Sequence, residues 1–274
     1  MKRLLVSVAL AVIAIPSSAA IQYEFTQKNS NADAVVPTKD LNARATVDGE
    51  RSRVDFLGGN IYPSGTYVVS NDGSRLYFVD PTRQWYTEVN TSGVATAISA
   101  SNIKVANVKS TFETLPDRPK LAGYESEHSR VTMSYDISIV MQNIPMTQHV
   151  TTEVDTWATT QLGDVPQTFL SGTARTGNAE IDALHDATAA KIKGFPLKQV
   201  VTTRTNYQAS KNSQLSRTTS RTITREMWVT AIRETPTTAT MFAFPATYRR
   251  ADPQEVAPNA AAGVLTFEPA GGTK

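Results

Sequence analysis

Between Leu41 and Val89, short runs of β-branched and aromatic residues alternate with turn residues at close intervals, the pattern of an antiparallel meander. Leu41–Val47 and Glu50–Phe56 flank Asp48-Gly49, Thr66–Ser70 and Arg75–Val79 flank Asn71–Ser74, and Trp85–Val89 follows Pro81–Gln84. A two-residue turn at Asp48-Gly49 would set Val47 opposite Glu50, Ala43 opposite Val54 and Leu41 opposite Phe56 on one mostly apolar face. The other face would carry Arg44, Arg51, Arg53 and Asp55 and be wet. A four-residue turn at Asn71–Ser74 would set Tyr67 opposite Phe78 and Val69 opposite Leu76, with Val89 then opposite Leu76. Val68, Tyr77, Val79 and Tyr86 would form the reverse face, so both faces are apolar here. Strands apolar on both sides lie under another layer or line a cavity.

Ile21–Thr26 alternates Tyr23 and Phe25 with polar residues and predicts a first strand, followed by a polar connection over Lys28–Asp40. Ser92–Lys109 is read as a short helix and a strand, and Pro116–Pro119 as a loop. The longest alternation runs from Arg130 to Ile139, with Val131, Met133, Tyr135, Ile137 and Ile139 on one side. A loop at Gln142–Pro145 returns the chain with Met133 opposite Val154 and Ile137 opposite Val150, a ribbon of about 30 Å at ~3.3 Å per residue. Gly163–Asn178 is loop-like. One helix is predicted, Ala179–Lys193, with Glu180 and Asp182 in its first turn, Lys191 and Lys193 in its last and Gly194 as its stop. Leu197–Thr205 and Ser216–Glu234 predict further strands, and Met241–Tyr248 a short last segment. The expected class is mainly β: a curved antiparallel sheet or half-barrel with one or more helices packed against it.

Met1-Lys2-Arg3, the apolar run Leu4–Ile15 and the small residues Ser18-Ala19-Ala20 make residues 1–20 a predicted signal peptide, cleaved from a periplasmic or secreted protein. The apolar run is shorter than the ~20 residues a membrane span needs, so the protein is not expected to span a membrane. No cysteine is present, which leaves no lipobox and no disulfide. Residues 21–250 are expected to be one β-rich domain, and 251–274, rich in Pro, Ala and Gly, a disordered tail. The formal charge of +2 comes from Lys2 and Arg3: of 27 basic residues 25 remain after processing, against 25 acidic ones. That balance speaks against nucleic acid as a partner.

Val47–Val54, Leu76–Pro81 with Tyr86, the long hairpin ending at Trp157, and Gly194-Phe195-Pro196-Leu197 resemble a family of uncharacterised exported bacterial proteins. That family is similar in turn to the outer-membrane lipoprotein-carrier fold. The resemblance covers roughly residues 40–248 and implies a strongly curved antiparallel sheet closed by helices, with an apolar interior that receives acyl chains. One predicted helix is fewer than such a closure implies, and no binding residue is carried over.

The candidate chemistry is sparse. His128, His149 and His185 are the three histidines. His128 and His149 fall too far apart along the predicted ribbon to share a metal, and His128 reads as an ordinary exposed strand histidine. No nucleophile elbow, zincin helix or phosphate loop is present, and Glu153 and Asp155 read as solubilising charges on a wet strand face. No cofactor, no metal and no enzymatic activity are expected. Between Asp186 and Glu226 the charged residues are all basic, among them Lys198, Arg204, Arg217, Arg221 and Arg225. These form either a surface for an anionic headgroup or acidic partner, or a solvated outer face. Tyr67, Tyr77, Phe78, Trp85, Tyr86, Met133 and Tyr135 would line a lipid-sized cavity or fill a plain core. Two functions follow: binding of a lipid or other amphiphile within the curved sheet, or an envelope interaction protein that binds a protein or polymer through its surface.

Overall fold

Period-two alternation decides the architecture. Strands β1 (Ala20–Asn31), β2 (Lys39–Asp48), β3 (Arg51–Gly59), β4 (Tyr67–Ser70), β5 (Tyr77–Asp80) and β6 (Trp85–Glu88) form the first half of the chain. The second half contributes β7 (Lys104–Leu115), the short hairpin β8 (Lys120–Leu121) and β9 (Tyr124–Glu125), then β10 (Glu127–Met141), β11 (Ile144–Thr159), β12 (Phe195–Ala209), β13 (Thr219–Thr235) and β14 (Arg249–Arg250). The computed structural model describes residues 20–31, 39–71, 75–88, 104–141, 144–163, 165, 179–209 and 219–251. Twelve strands join one curved, unclosed sheet in the order β14-β6-β5-β4-β3-β2-β1-β13-β12-β11-β10-β7. Every pairing in it is antiparallel except β14 beside β6. The expected class is the observed one. Residues 1–19 and 252–274, where the signal peptide and tail were expected, lie outside the described residues, whereas Ala251 is buried and donates its N–H to Tyr86 O.

The first strand occupies the middle of the sheet. β1 pairs β2 on one side and β13 on the other, so it joins the meander to the long-strand half. Its Tyr23 and Phe25 point to the face that holds the main core with Ala43, Ala45, Val54, Phe56, Val68, Phe78, Phe195, Leu197, Met227 and Val229. We call this the inner face. Tyr23 meets Phe195 edge-on at 5.0 Å, and Tyr62 stacks on Phe56 at 4.1 Å.

The predicted faces mostly hold, while the registers shift. The β2–β3 turn centres on Gly49-Glu50, pairing Asp48 with Arg51, Ala45 with Val54 and Ala43 with Phe56. Gly49 adopts φ +59°, as the first central position of a type II′ turn requires. The long hairpin is likewise two positions off the expected register, with Val131 opposite Val154 and Tyr135 opposite Val150. A shift of two preserves the faces. Between β4 and β5 the shift is one, which pairs Val68 with Phe78 and Tyr67 with Val79 and moves residues to opposite sides. The β5–β6 turn is as predicted, with Tyr77 opposite Glu88 and Asp80 opposite Trp85.

β4 is buried on both faces. Behind it, on the outer face, Tyr67, Val69 and Val79 pack with Phe242, Tyr77, Tyr86, Met241, Phe244 and Tyr248. The chain after β13 supplies this second layer through a 3-10 turn at Ala239–Phe242. The meander's outer face is therefore only partly wet, and its charges are paired as Arg44–Glu24, Arg51–Asp48 and Arg53–Asp55.

The one α-helix among the described residues, α1 (Ala179–Ala189), is shorter than predicted. Its end tightens through Ala190 N–H to Asp186 O and Lys191 N–H to Thr188 O, leaving Lys191 and Lys193 beyond the last turn. Gly194 then takes φ +85° and passes so close to β11 that a Cβ would sit 2.3 Å from Thr159 O. Lys191 reaches over the Phe112 ring on β7, which places the helix end above the inner face at that edge.

Candidate functional site

The seven aromatic and methionine candidates do not converge. Tyr67, Tyr77 and Tyr86 belong to the outer layer, where Phe244 packs 4.2 Å from the Tyr86 ring and 5.3 Å from that of Tyr77. Phe78 and Trp85 belong to the main core on the other face. Met133 and Tyr135 lie on the inner face too, but on β10, at the far end of the sheet order. They share a neighbourhood with Val131, Val150 and Ile137, and burial raises the Tyr135 hydroxyl above its ordinary pKa.

The basic candidates separate by strand parity. Lys198 and Arg204 stand on the outer face, Lys198 beside Glu226 and over the Trp157 ring at 5.0 Å. Arg217 lies outside the described residues. Arg221 and Arg225 share the parity of Ile223, Met227 and Val229, and so face inward.

Arg225 is the unusual member. Cross-strand from it stand Val201 on β12 and Asn29 on β1, while Ile223 and Met227 flank it along β13. Beyond Val201 the same row runs through Val154, Val131 and Phe112. The guanidinium is enclosed by protein, and desolvation lowers its pKa, yet the residue keeps partial contact with solvent, as a group on the floor of a groove does. Its Nη2 donates to the neutral amide Oε1 of Gln199 at 3.3 Å. No carboxylate occupies the inner-face positions of β11, β12 or β1, or those of β13 as far as its bulge beside Phe25. A guanidinium carries five N–H donors and stays cationic at neutral pH, so one long bond to an amide leaves most of its capacity unmet.

The inner face around this cation is apolar but unevenly covered. Val131, Met133 and Val150 are buried, whereas Val154, Val201, Ile223 and Ile137 are only half-buried. Thr152 and Thr203 lie between them, their hydroxyls 3.4 Å apart. A half-open depression of about 320 Å³ opens beside the β8–β9 hairpin, lined by Leu121, Ala122, Leu197 and Val229 and also by Lys198, Glu226 and Trp228, which have the other parity on β12 and β13.

A second cluster, on the outer face, corrects the reading of His128 and Asp155. His128 is 6% exposed, not an open strand residue. Its Nδ1 lies 2.6 Å from Asp117 Oδ1 and its Nε2 2.8 Å from Asp155 Oδ1. The ring stacks on Trp157 at 4.0 Å, and the Trp157 indole N–H donates to Asp117 Oδ2 at 2.9 Å. Arg130 donates to both oxygens of Asp155, which is buried and does not serve as a solubilising charge. The Trp157 bond, followed by the His128 bond, holds the Asp117 carboxyl below its usual pKa. The two ring nitrogens are thus both engaged, and the cluster ties the loop before β8 to the β10–β11 hairpin. Same-strand inspection missed it because Asp117 arrives from a loop and Asp155 from a diagonal cross-strand position. His149 does lie on an exposed site, bonded to Asp136 at 2.7 Å.

No protein-family model matches the chain, and no curated protein does. Among solved structures, a LolA superfamily protein from Nitrosomonas europaea is similar, with a TM-score of 0.32 and 7% sequence identity over 84% of this chain and 91% of that one. Within the described residues no helix is long and apolar enough to cross a membrane. What the site can do follows from its own surfaces: an apolar, partly accessible sheet face with the enclosed cation Arg225 set into it.

Proposed function

We propose that this chain is an exported, non-enzymatic protein that holds an amphiphile against the inner face of its curved sheet. The observation that carries the reading is the incomplete cover of that face. Val154, Val201, Ile223 and Ile137, on strands of 15 to 17 residues, keep solvent contact where a finished core would bury them. Apolar surface of this kind gains about 25 cal/mol for each Å² covered, so an acyl chain laid along it would be held without any chemical step. The Met1–Arg3 basic start and the apolar run after it support export, and the balanced charge left after cleavage suits a small amphiphile better than a polyanion.

The test is native mass spectrometry of the mature protein purified gently from its own envelope, followed by analysis of the organic extract. A reproducible lipid adduct, removed by delipidation and restored by a membrane lipid extract, is the expected result. A clean apo mass that such an extract does not change would overturn the reading.

A further inference from the structure

The structure assigns a headgroup to that ligand: we infer that Arg225 receives the anionic head of the amphiphile, a carboxylate or a phosphate, on the floor of the inner face. The inference rests on the proposed binding of an amphiphile and adds its charge and its orientation. Three observations carry it. First, Arg225 stands at one end of an apolar row, with Val201 opposite on β12, Asn29 opposite on β1, and Ile223 and Met227 beside it. Second, the bond to Gln199 Oε1 at 3.3 Å is its one contact with a side-chain acceptor among the described residues, and the inner-face positions of β11, β12 and β1, and of β13 as far as its bulge beside Phe25, hold no carboxylate. Third, four outer-face arginines have an acid at hand, Arg44 with Glu24, Arg51 with Asp48, Arg53 with Asp55 and Arg130 with Asp155, while Arg233, which bonds the Gln22 amide oxygen, and Arg204 are exposed and hydrated, as Arg225 is not.

An enclosed cation without a counter-charge is a costly arrangement, and a protein that keeps one normally completes it with a partner. The planar guanidinium fork matches the paired oxygens of a carboxylate or phosphate, and a bidentate pair in a partly desolvated groove is stronger than any bond Gln199 can offer. The head therefore lies on the floor of the face, and the chain lies on the half-buried apolar side chains that run from it, Val201, Ile223 and Val154. This differs from a headgroup held at the mouth by surface lysines. Arg221, two same-face positions closer to the start of β13, is already engaged elsewhere and is not required.

The experiment compares chain-matched probes on the full mature protein by fluorescence displacement: palmitate, palmitoyl lysophosphatidic acid and palmityl alcohol. Wild type is expected to bind at least one anionic probe roughly ten- to a hundredfold tighter than the alcohol, the range of a charge-assisted hydrogen-bonded pair. Preference for palmitate assigns a carboxylate head, and preference for the lysophosphatidic acid a phosphate head. Arg225→Gln should abolish the preference while leaving alcohol binding within about threefold, Arg225→Lys should restore part of it, and Arg204→Gln, the same charge change on the outer face, should leave it intact. Equal binding of anions and alcohol by wild type, or a preference that survives in Arg225→Gln, overturns the assignment while amphiphile binding stands. If none of the three probes binds, the assignment fails together with the functional proposal.

Discussion

Replacing Arg225 by methionine should make the ligand-free protein more stable. The wild-type side chain offers five N–H donors and satisfies one of them, at 3.3 Å, with a neutral amide. Leaving a charge in such surroundings costs several kcal/mol per ion when burial is complete, and the partial solvent contact of Arg225 reduces that. Methionine fills similar length and would pack on Val201, Ile223 and Met227. Gln199 would lose one bond but keeps the contact of its amide nitrogen with Thr156 Oγ1 at 3.4 Å. The net gain should be about 1–3 kcal/mol. Urea unfolding of the delipidated mature protein measures it: for a slope of about 2–3 kcal/mol/M, the midpoint should rise by roughly 0.3–1.5 M with the slope unchanged. Saturation with the anionic probe that the wild type prefers then narrows or cancels the difference, because ligand at 100 times its Kd adds about 2.7 kcal/mol to the wild type and, at ten- to hundredfold weaker binding, about 0.4–1.4 kcal/mol to the variant. A midpoint that falls by more than the error, or a shift of equal size in both proteins with that anionic probe, refutes the reasoning. A residue that lowers resting stability and raises it on binding is the usual signature of a site, not of a core.

Three further outcomes follow from described contacts. Trp157→Phe removes the largest influence holding the Asp117 carboxyl down, so the Asp117 titration followed by carbon NMR should move up toward the ordinary carboxylate range. A depressed carboxylate stabilises the fold above its unfolded pKa and loses that contribution as pH falls through the folded value, so acid unfolding of this variant should start at higher pH within the region below about pH 4; an unmoved titration would refute the assignment. Gly194→Ala should cost about 2–4 kcal/mol, since its Cβ would meet Thr159 O at 2.3 Å at φ +85°, whereas Gly49→Ala, with open space at its Cβ, should cost about 1 kcal/mol; equal midpoints in chemical denaturation would contradict the close approach. Tyr62→Phe deletes a buried hydroxyl that has no hydrogen-bond partner among the described residues and keeps the ring stacked on Phe56, so its unfolding midpoint should hold or rise, and a loss above about 1 kcal/mol would show the hydroxyl to be satisfied.

Much of the fold is local, and local patterns were legible. The alternation of Val131, Met133 and Tyr135 identifies the inward side of β10 whichever register is adopted, because a shift of two leaves parity untouched. Tyr67 illustrates the limit. One residue of difference in the β4–β5 connection exchanges its partner Phe78 for Val79 and carries it from the expected cavity to the outer layer. Nothing in the local pattern places β1 beside β13, since that pairing joins the two ends of the chain. The cation site was half visible. Arg221 and Arg225 share their parity with Ile223, Met227 and Val229, and that alternation inside the basic run separates them from Lys198 and Arg204. What could not be read was the lack of an inward carboxylate nearby, because it depends on which faces of four strands meet.

The central position of the first strand also sets a clock. Gln22 is joined to Arg233 across 211 positions of chain. At about 5–20 residues per second, a ribosome needs roughly 10–40 s to supply the second strand edge after the first has emerged. Through that interval the meander has an unpaired border at β1, and the sheet cannot be completed. High sequence separation of this kind slows folding further once the chain is released. A polypeptide whose earliest residues wait for its latest ones remains open to a translocase or a holding chaperone for longer than one that folds from its beginning.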